Sequence, residues 1–374
     1  MRTELIVVVG GGPAGSATAL LLAQRGARVV LLDRARFPRR KACAEYISPG
    51  GASILRTLGM DLTAKGRWLR GMEIHAPSGA CHVVEYRDRH GETQRGLSID
   101  RFVLDAALLD LARSHGVAVR EGCRVTGLVM RAGRVSGVRL ADGTHLLADL
   151  VIGADGTHSV VARAAGPPLR TYWPRRLGLV AHYRGVAWAE PFGQMRVGHN
   201  GYAGVAPLDD DGLLTVGLVT PLTKRPLTFD AALARYPELA QRLAAGQRVE
   251  PILGIGPLAR RVRACQGPGY VLVGDAAGFF DPFTGEGIYR ALRGAQLAAS
   301  GIADGLNYTL ERRRAFAAKE RLTTVIQLFV QSPPLLELSL RRLARRPRLA
   351  HQLGNVLGDL EPARLSLVWQ LLRP

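Results

Sequence analysis

The run Leu5-Ile6-Val7-Val8-Val9 leads straight into Gly10-Gly11-Gly12-Pro13-Ala14-Gly15. The first segment is a continuous apolar run, the mark of a strand buried on both faces. Ser16 to Arg25 then reads as a helix, with Ala17, Leu20, Leu21 and Leu22 on or near one face, and Gly26 ends it. Ala27 to Leu32 reads as a second strand, closed by Asp33, an acid 23 residues after the first glycine. Each part has a physical reason. Gly10 makes the tight turn, Gly12 lets the backbone approach a pyrophosphate, and Gly15 lets the helix pack on the strand. The helix N-terminus, reached through Pro13 and Ala14 of the turn, brings unpaired N–H groups and partial positive charge toward phosphates. Asp33 is placed to accept from ribose hydroxyls, with Arg34 beside it. The unit predicts an α/β fold and a dinucleotide site. It does not by itself separate FAD from NAD, and a glycine-rich turn without a ligand is the plain alternative.

Two later strand ends carry Gly and Asp. Leu146 to Ile152 runs into Gly153-Ala154-Asp155-Gly156-Thr157-His158-Ser159, and Tyr270 to Val273 runs into Gly274-Asp275-Ala276-Ala277-Gly278. Open α/β sheets bind ligands at such ends, although either could be an ordinary turn. Asp281-Pro282-Phe283-Thr284-Gly285-Glu286-Gly287 follows, then a helix from about Ile288.

Together these segments resemble the three signatures of the p-hydroxybenzoate hydroxylase-like FAD superfamily: GxGxxG, a central DG and a late GD, in order across most of residues 1–310. That superfamily includes class A flavin monooxygenases, geranylgeranyl reductases and flavin halogenases. The resemblance implies a Rossmann-like FAD-binding domain from residues 1–70, 97–176 and 263–310. It implies an interleaved mixed β-sheet substrate domain from 71–96 and 177–262, then C-terminal helices over 311–374. It also implies roles. Gly10, Gly12 and Gly15 hold the pyrophosphate, Asp33 the ribose, and Asp275, after Gly274, the ribityl chain. Asp155 supports the FAD region, and Arg101 matches a family arginine that contacts the cofactor. The helix after Pro282, Gly285 and Gly287 would direct its N-terminus at the flavin, stabilising negative charge on the reduced ring.

The segment Phe37-Pro38-Arg39-Arg40-Lys41-Ala42-Cys43-Ala44-Glu45-Tyr46-Ile47-Ser48-Pro49-Gly50 is similar to the FPRxKxCGExxSP segment of geranylgeranyl reductase-like oxidoreductases, in several of which the gene accompanies type III polyketide synthases. Ala44 replaces the usual glycine. By this resemblance the loop lies beside the flavin, which makes Cys43 a candidate catalytic residue and Tyr46 a candidate substrate contact. A small packing residue is the other reading of Cys43. The Tyr-x-Trp-x-Phe-Pro segment of prenyl reductases is not kept, since Gly204 and Ala206 stand in Gly201 to Pro207. Trp188-Ala189-Glu190-Pro191 does not match the halogenase segment. The leading expectation is therefore an NAD(P)H-dependent monooxygenase acting on an apolar aromatic, polyketide or lipid-like substrate. A reductase or dehydrogenase of carbon–carbon bonds is the alternative, and a flavin-binding protein without catalysis is a third. His182, His199 and Tyr202, on strands with room left by Gly204 and Ala206, are further candidate substrate contacts.

The remaining features bound the class. A formal net charge of +19 fits an arginine-rich solvated surface, a membrane surface or an anionic ligand, and no nucleic-acid module accompanies it. Cys43, Cys81, Cys123 and Cys265 form no CxxC, and none lies near a histidine at metal-ligand spacing in the sequence. No metal site is expected, and a reducing cytoplasm is. Leu5 to Ala23 carries no charge, but glycines and Pro13 interrupt it, so it does not read as a membrane span. Arg341, Arg342, Arg345, Arg346 and Arg348 sit among leucines after Pro333-Pro334. This stretch reads as a helical cap with a solvated arginine face, or as a peripheral membrane contact.

Overall fold

The computed structural model describes residues 4–372 apart from positions 64, 89, 167, 168 and 365. The chain opens with β1 (Leu5–Val9), α1 (Pro13–Ala23) and β2 (Arg28–Leu32). It leaves to lay down β3 (Gly71–His75) and β4 (Cys81–Glu85), then returns through α2 (Arg101–Ser114) to β5 (Ala118–Arg120) and β6 (Leu150–Gly153). It leaves again for β7 (Arg176–Arg184), β8 (Phe192–Gly198), β9 (Gly201–Pro207) and β10 (Leu214–Pro221). It comes back with β11 (Tyr270–Leu272) and α3 (Gly287–Asp304), and finishes in α4 (Tyr308–Gln331), α5 (Pro333–Arg345), α6 (Pro347–Leu357) and a short helix Ser366–Leu372.

Two sheets result. The first has the order Gln266–Gly267, β11, β6, β1, β2, β5, and is parallel except for its Gln266–Gly267 edge. Val7, Val8, Leu31, Leu32, Val151 and Ile152 are sealed in it, because helices cover both faces and every side chain must be apolar. α1 packs on α3, where Ala291, Ala295 and Ala298 let the two helices approach closely. α1 starts at Pro13 rather than Ser16, since proline suits the first helical turn. The apolar stretch Leu146 to Ile152 is not one strand. It breaks at Asp149, whose carboxylate accepts from Leu5 N at 2.9 Å, and His145–Leu147 joins a separate hairpin.

The second sheet runs Gln247–Arg248, β7, β10, β9, β8, β3, β4, antiparallel except for the parallel β8–β3 pair. Its alternation sorts the side chains. Register places Arg176, Gly178, Val180 and His182 of β7 in line with Val219, Gly217 and Thr215 of β10, and with Tyr202, Gly204 and Ala206 of β9, on one face. The opposite face carries Ala181, Tyr183, Ala203, Val205, Val216 and Leu218. Two short helices that the strand pattern had concealed, Phe229–Leu233 and Pro237–Leu243, cover it. Leu340, Leu343, Leu349 and Leu353 of α5 and α6 pack with Ile74 and Val84, so these leucines face the sheet while Leu335, Leu338, Arg341, Arg345 and Arg348 are exposed. Among the described residues no helix is long and apolar enough to cross a membrane.

Candidate active site

The glycine turn is held by contacts that tolerate no side chain. Gly10 has φ +105°, and a Cβ there would lie 2.5 Å from Ala154 O. A Cβ on Gly15 would lie 1.8 Å from Gly10 O. Gly12 differs: its Cβ would meet only the guanidinium tips of Arg39 at 3.6 Å and Arg101 at 3.8 Å. The start of α1 is thus open, flanked by two cations, with no side chain capping it. Asp33 accepts from Gly11 N at 2.7 Å and Ala35 N at 2.8 Å, which fixes the turn, while Arg34 stands exposed beside it. Gly274 presses on α1, since a Cβ there would come within 2.7 Å of Ala14 Cβ.

A charged cleft follows from this arrangement. Arg101, at the start of α2, forms a bidentate pair with the buried Asp105 at 2.6 and 2.6 Å, and Arg39 reaches the same carboxylate at 3.1 Å. Burial pulls the Lys41 ammonium down, and Arg39 pulls it further, while Asp275 favours its charge. Burial pushes the Asp275 carboxyl up against the opposing pull of Lys41 and Arg101. Asp155 holds local backbone: it accepts from Val160 N at 2.6 Å and so ties off the helix that follows the second motif.

The loop from Asp281 to Gly287 is fixed from three directions. Asp281 is sealed from solvent and accepts from Tyr202 Oη at 2.5 Å, Gln327 Nε2 at 2.9 Å, Phe283 N at 3.0 Å and Arg176 Nη1 at 3.0 Å. Pro282 opens the short turn, and Gly285 takes φ +66°, where a Cβ would strike Tyr46 Cδ1 at 2.7 Å. α3 begins at Gly287, and the Glu286 side chain before it does not cap its free N–H groups. Tyr46 thus shapes the loop, and the Tyr202 hydroxyl is committed to Asp281.

Between the glycine turn and the second sheet lies the Cys43–Glu45 segment. Ala44 Cβ would sit 3.7 Å from a Cβ on Gly217 of β10. Glu45 has φ +58° and is buried, a strained posture for a non-glycine residue. Glu45 N donates to Cys43 Sγ at 3.3 Å, and Glu45 Oε1 accepts from Arg101 N at 3.1 Å. Glu45 Oε2 meets His182 Nε2 at 2.8 Å, and His182 Nδ1 meets Glu250 at 3.2 Å. Arg40 then joins Glu250 to Asp100. Burial pushes the Cys43 thiol up, outweighing the pull of Arg101. Burial likewise pushes Glu45 up, against the hydrogen bond from His182. Burial lowers His182, but bonding and charge from Glu45 outweigh that, so its pKa is raised. The pair therefore retains a proton in a buried place. His199 is not gathered here, being exposed in the turn between β8 and β9.

The open Gly12, the uncapped starts of α1 and α3, and the cations Arg39, Lys41 and Arg101 fit a pyrophosphate and the anionic edge of a reduced ring. Fold and site together define an α/β dinucleotide-dependent oxidoreductase with three motif loops converging under a second sheet. The family model for the FAD binding domain matches residues 2–331, and the chain belongs to that family. Membership of that family makes FAD the cofactor, and the cleft described above fits it. Menaquinone reductase of Mycolicibacterium smegmatis is 29% identical, with 98% of this chain and 95% of that protein aligned. Digeranylgeranylglycerophospholipid reductase of Methanothrix thermoacetophila is 31% identical over 82% of this chain and 79% of that protein. The 6-methylpretetramide 4-monooxygenase of Streptomyces rimosus is 28% identical over 97% and 88% respectively. The flavin-dependent brominase Bmp2 shares the fold, with a TM-score of 0.82 at 20% identity over 95% of this chain and 93% of that one.

Sequence reasoning had not singled out Arg39, Lys41, Glu45, Arg176, Glu250 or Gln327. The first three lie inside the recognised loop segment, and their charge in a cleft-side loop was the available signal. The partners of Asp281 and His182 come from distant strands and helices, which no local pattern reveals. On the other face of the second sheet, Glu73 and Cys81 approach His75 Nε2 to 3.1 and 3.7 Å, a grouping that sequence spacing did not show.

Proposed function

We propose that this protein is a flavin-dependent reductase of a carbon–carbon double bond in an apolar isoprenoid or polyketide-like substrate. The oxygenase expectation thus becomes the second reading. The observation that carries the proposal is the buried, proton-retaining Glu45–His182 pair, next to the Cys43 thiol, on the sheet face turned toward the cofactor loops. Saturating a double bond adds one hydride and one proton. Bound FAD supplies the hydride, with NADPH or NADH as the donor that replenishes it. The chain must deliver the proton where water is excluded. The buried Glu45 and the half-buried, neutral Cys43 thiol are the donors this loop offers beside the cofactor cradle. His182 links Glu45 to Glu250, whose side chain is 20% exposed and so meets solvent, giving a path for reprotonation. Gly178, Gly204 and Gly217 leave room on this face, and Val180, Met195 and Val219 keep it apolar. The two curated reductases support this reading, and the monooxygenase relative supports the second.

The decisive test is turnover without oxygen. The protein, with NADPH or NADH and a panel of polyprenyl and polyene substrates, should form products heavier by two hydrogens. Products formed only with oxygen, and carrying one oxygen atom for each O2 consumed, would sink the proposal. In addition, Glu45→Gln should lower kcat more than it raises KM and should flatten the pH profile.

A further inference from the structure

A second cavity, of about 720 Å³, opens between the strand Arg260–Val262, the turn Gly278–Phe280 and α4. None of Gly12, Cys43, Glu45, Arg101 or His182 lines it. Its lining contains seven arginines and one acid, Glu320, and that acid is already paired with the buried Arg290. Among the described residues, Arg261, Arg263, Arg313 and Arg321 form no ion pair. All four are exposed, around the opening. Arginines scattered over a convex surface repel one another little, because water and salt screen them. Converging on one concavity, they focus a positive field that only a polyanion offsets.

The cavity also has an aromatic wall. Tyr172 and Phe280 stack at 5.6 Å with their planes 20° apart, and the Arg261 guanidinium lies 5.2 Å from the Tyr172 ring centre. A cationic rim beside a flat apolar wall matches a ligand with a charged end and a planar or hydrocarbon remainder. Guanidinium groups bind phosphate oxygens in pairs, so phosphate is the anion that such a set recognises best. The volume lies within the range of small-molecule sites.

We propose that this cavity binds an organic phosphate, by its phosphate or diphosphate group, at a site distinct from the FAD cradle. Two sources carry that chemistry: a phosphorylated nucleotide such as the 2′-phosphate of NADPH, and the headgroup of an anionic lipid. The proposal does not depend on the reductase reading, because its test needs no turnover.

The FAD-saturated protein is titrated with inorganic pyrophosphate by calorimetry, with the flavin spectrum followed to verify that the cradle stays filled. Saturable binding of one equivalent is expected, weakening between about 50 and 200 mM salt. The variant Arg263→Gln/Arg313→Gln/Arg321→Gln should bind about a hundredfold more weakly, with flavin content unchanged. Bound pyrophosphate is then challenged with NADP+ and, separately, with phosphatidylglycerol vesicles. Displacement by NADP+ supports the nucleotide source, and displacement by vesicles supports the lipid source. Absence of saturable binding, wild-type affinity in the triple variant, or displacement by neither competitor would overturn the proposal.

Discussion

Gly12 and Gly15 stand three positions apart in one turn and face opposite demands. Gly15→Ala places a methyl group 1.8 Å from Gly10 O, so the strand–helix contact must part and the protein should fail to accumulate in folded form. Gly12→Ala meets only flexible guanidinium tips at 3.6 and 3.8 Å, and its φ of −76° suits alanine. Its unfolding free energy should stay within about 0.5 kcal/mol of wild type while flavin is lost on dilution. Flavin content per protein after gel filtration checks this, and full retention would show that Gly12 does not face the phosphates. Asp275→Ala should also lose flavin, and full occupancy would remove Asp275 from the site. Spacing made these residues legible, because backbone sterics act over a few positions. The Glu45–His182 contact was not legible, because 137 residues separate the partners and each looks ordinary in its own strand or loop.

The helical tail is docked through a charged turn that the leucine pattern could not show. Asp359, in the turn after α6, has φ +59° and is paired with Lys319 of α4, which also reaches Glu286 at 3.4 Å. Burial pushes the Asp359 carboxyl up to about 6, against the pull of Lys319. A folded pKa above the unfolded one stabilises at low pH, and this contribution is lost as pH rises from about 4 to about 6. Asn tolerates the same left-handed backbone. Relative to wild type, Asp359→Asn should therefore gain up to about 3 kcal/mol across that window. Urea unfolding at several pH values measures it, and a constant difference would refute the buried-carboxylate account. Helix positions themselves were readable: Pro333-Pro334 does separate α4 from α5, since proline cannot continue a helix but can begin one.

At the scale of the molecule, Arg176, Tyr202, Asp281 and Gln327 tie the second sheet, the last motif loop and α4 into one buried polar knot. Tyr202→Phe removes one donor to a sealed carboxylate and should cost about 1–3 kcal/mol, read as a shift of the urea midpoint with unchanged slope. An unshifted midpoint would mean the knot is slack. The α/β class and the identity of the cofactor were visible from three short motifs, but the knot was not, since it exists only after the sheets meet. The chain passes between its two large sheets four times before α3 begins. Neither sheet can thus be excised as a continuous stretch of gene, and a fragment ending anywhere before β11 would lack a strand that the first sheet requires. Exchanging the substrate half with that of a relative would take two simultaneous grafts with four matched seams.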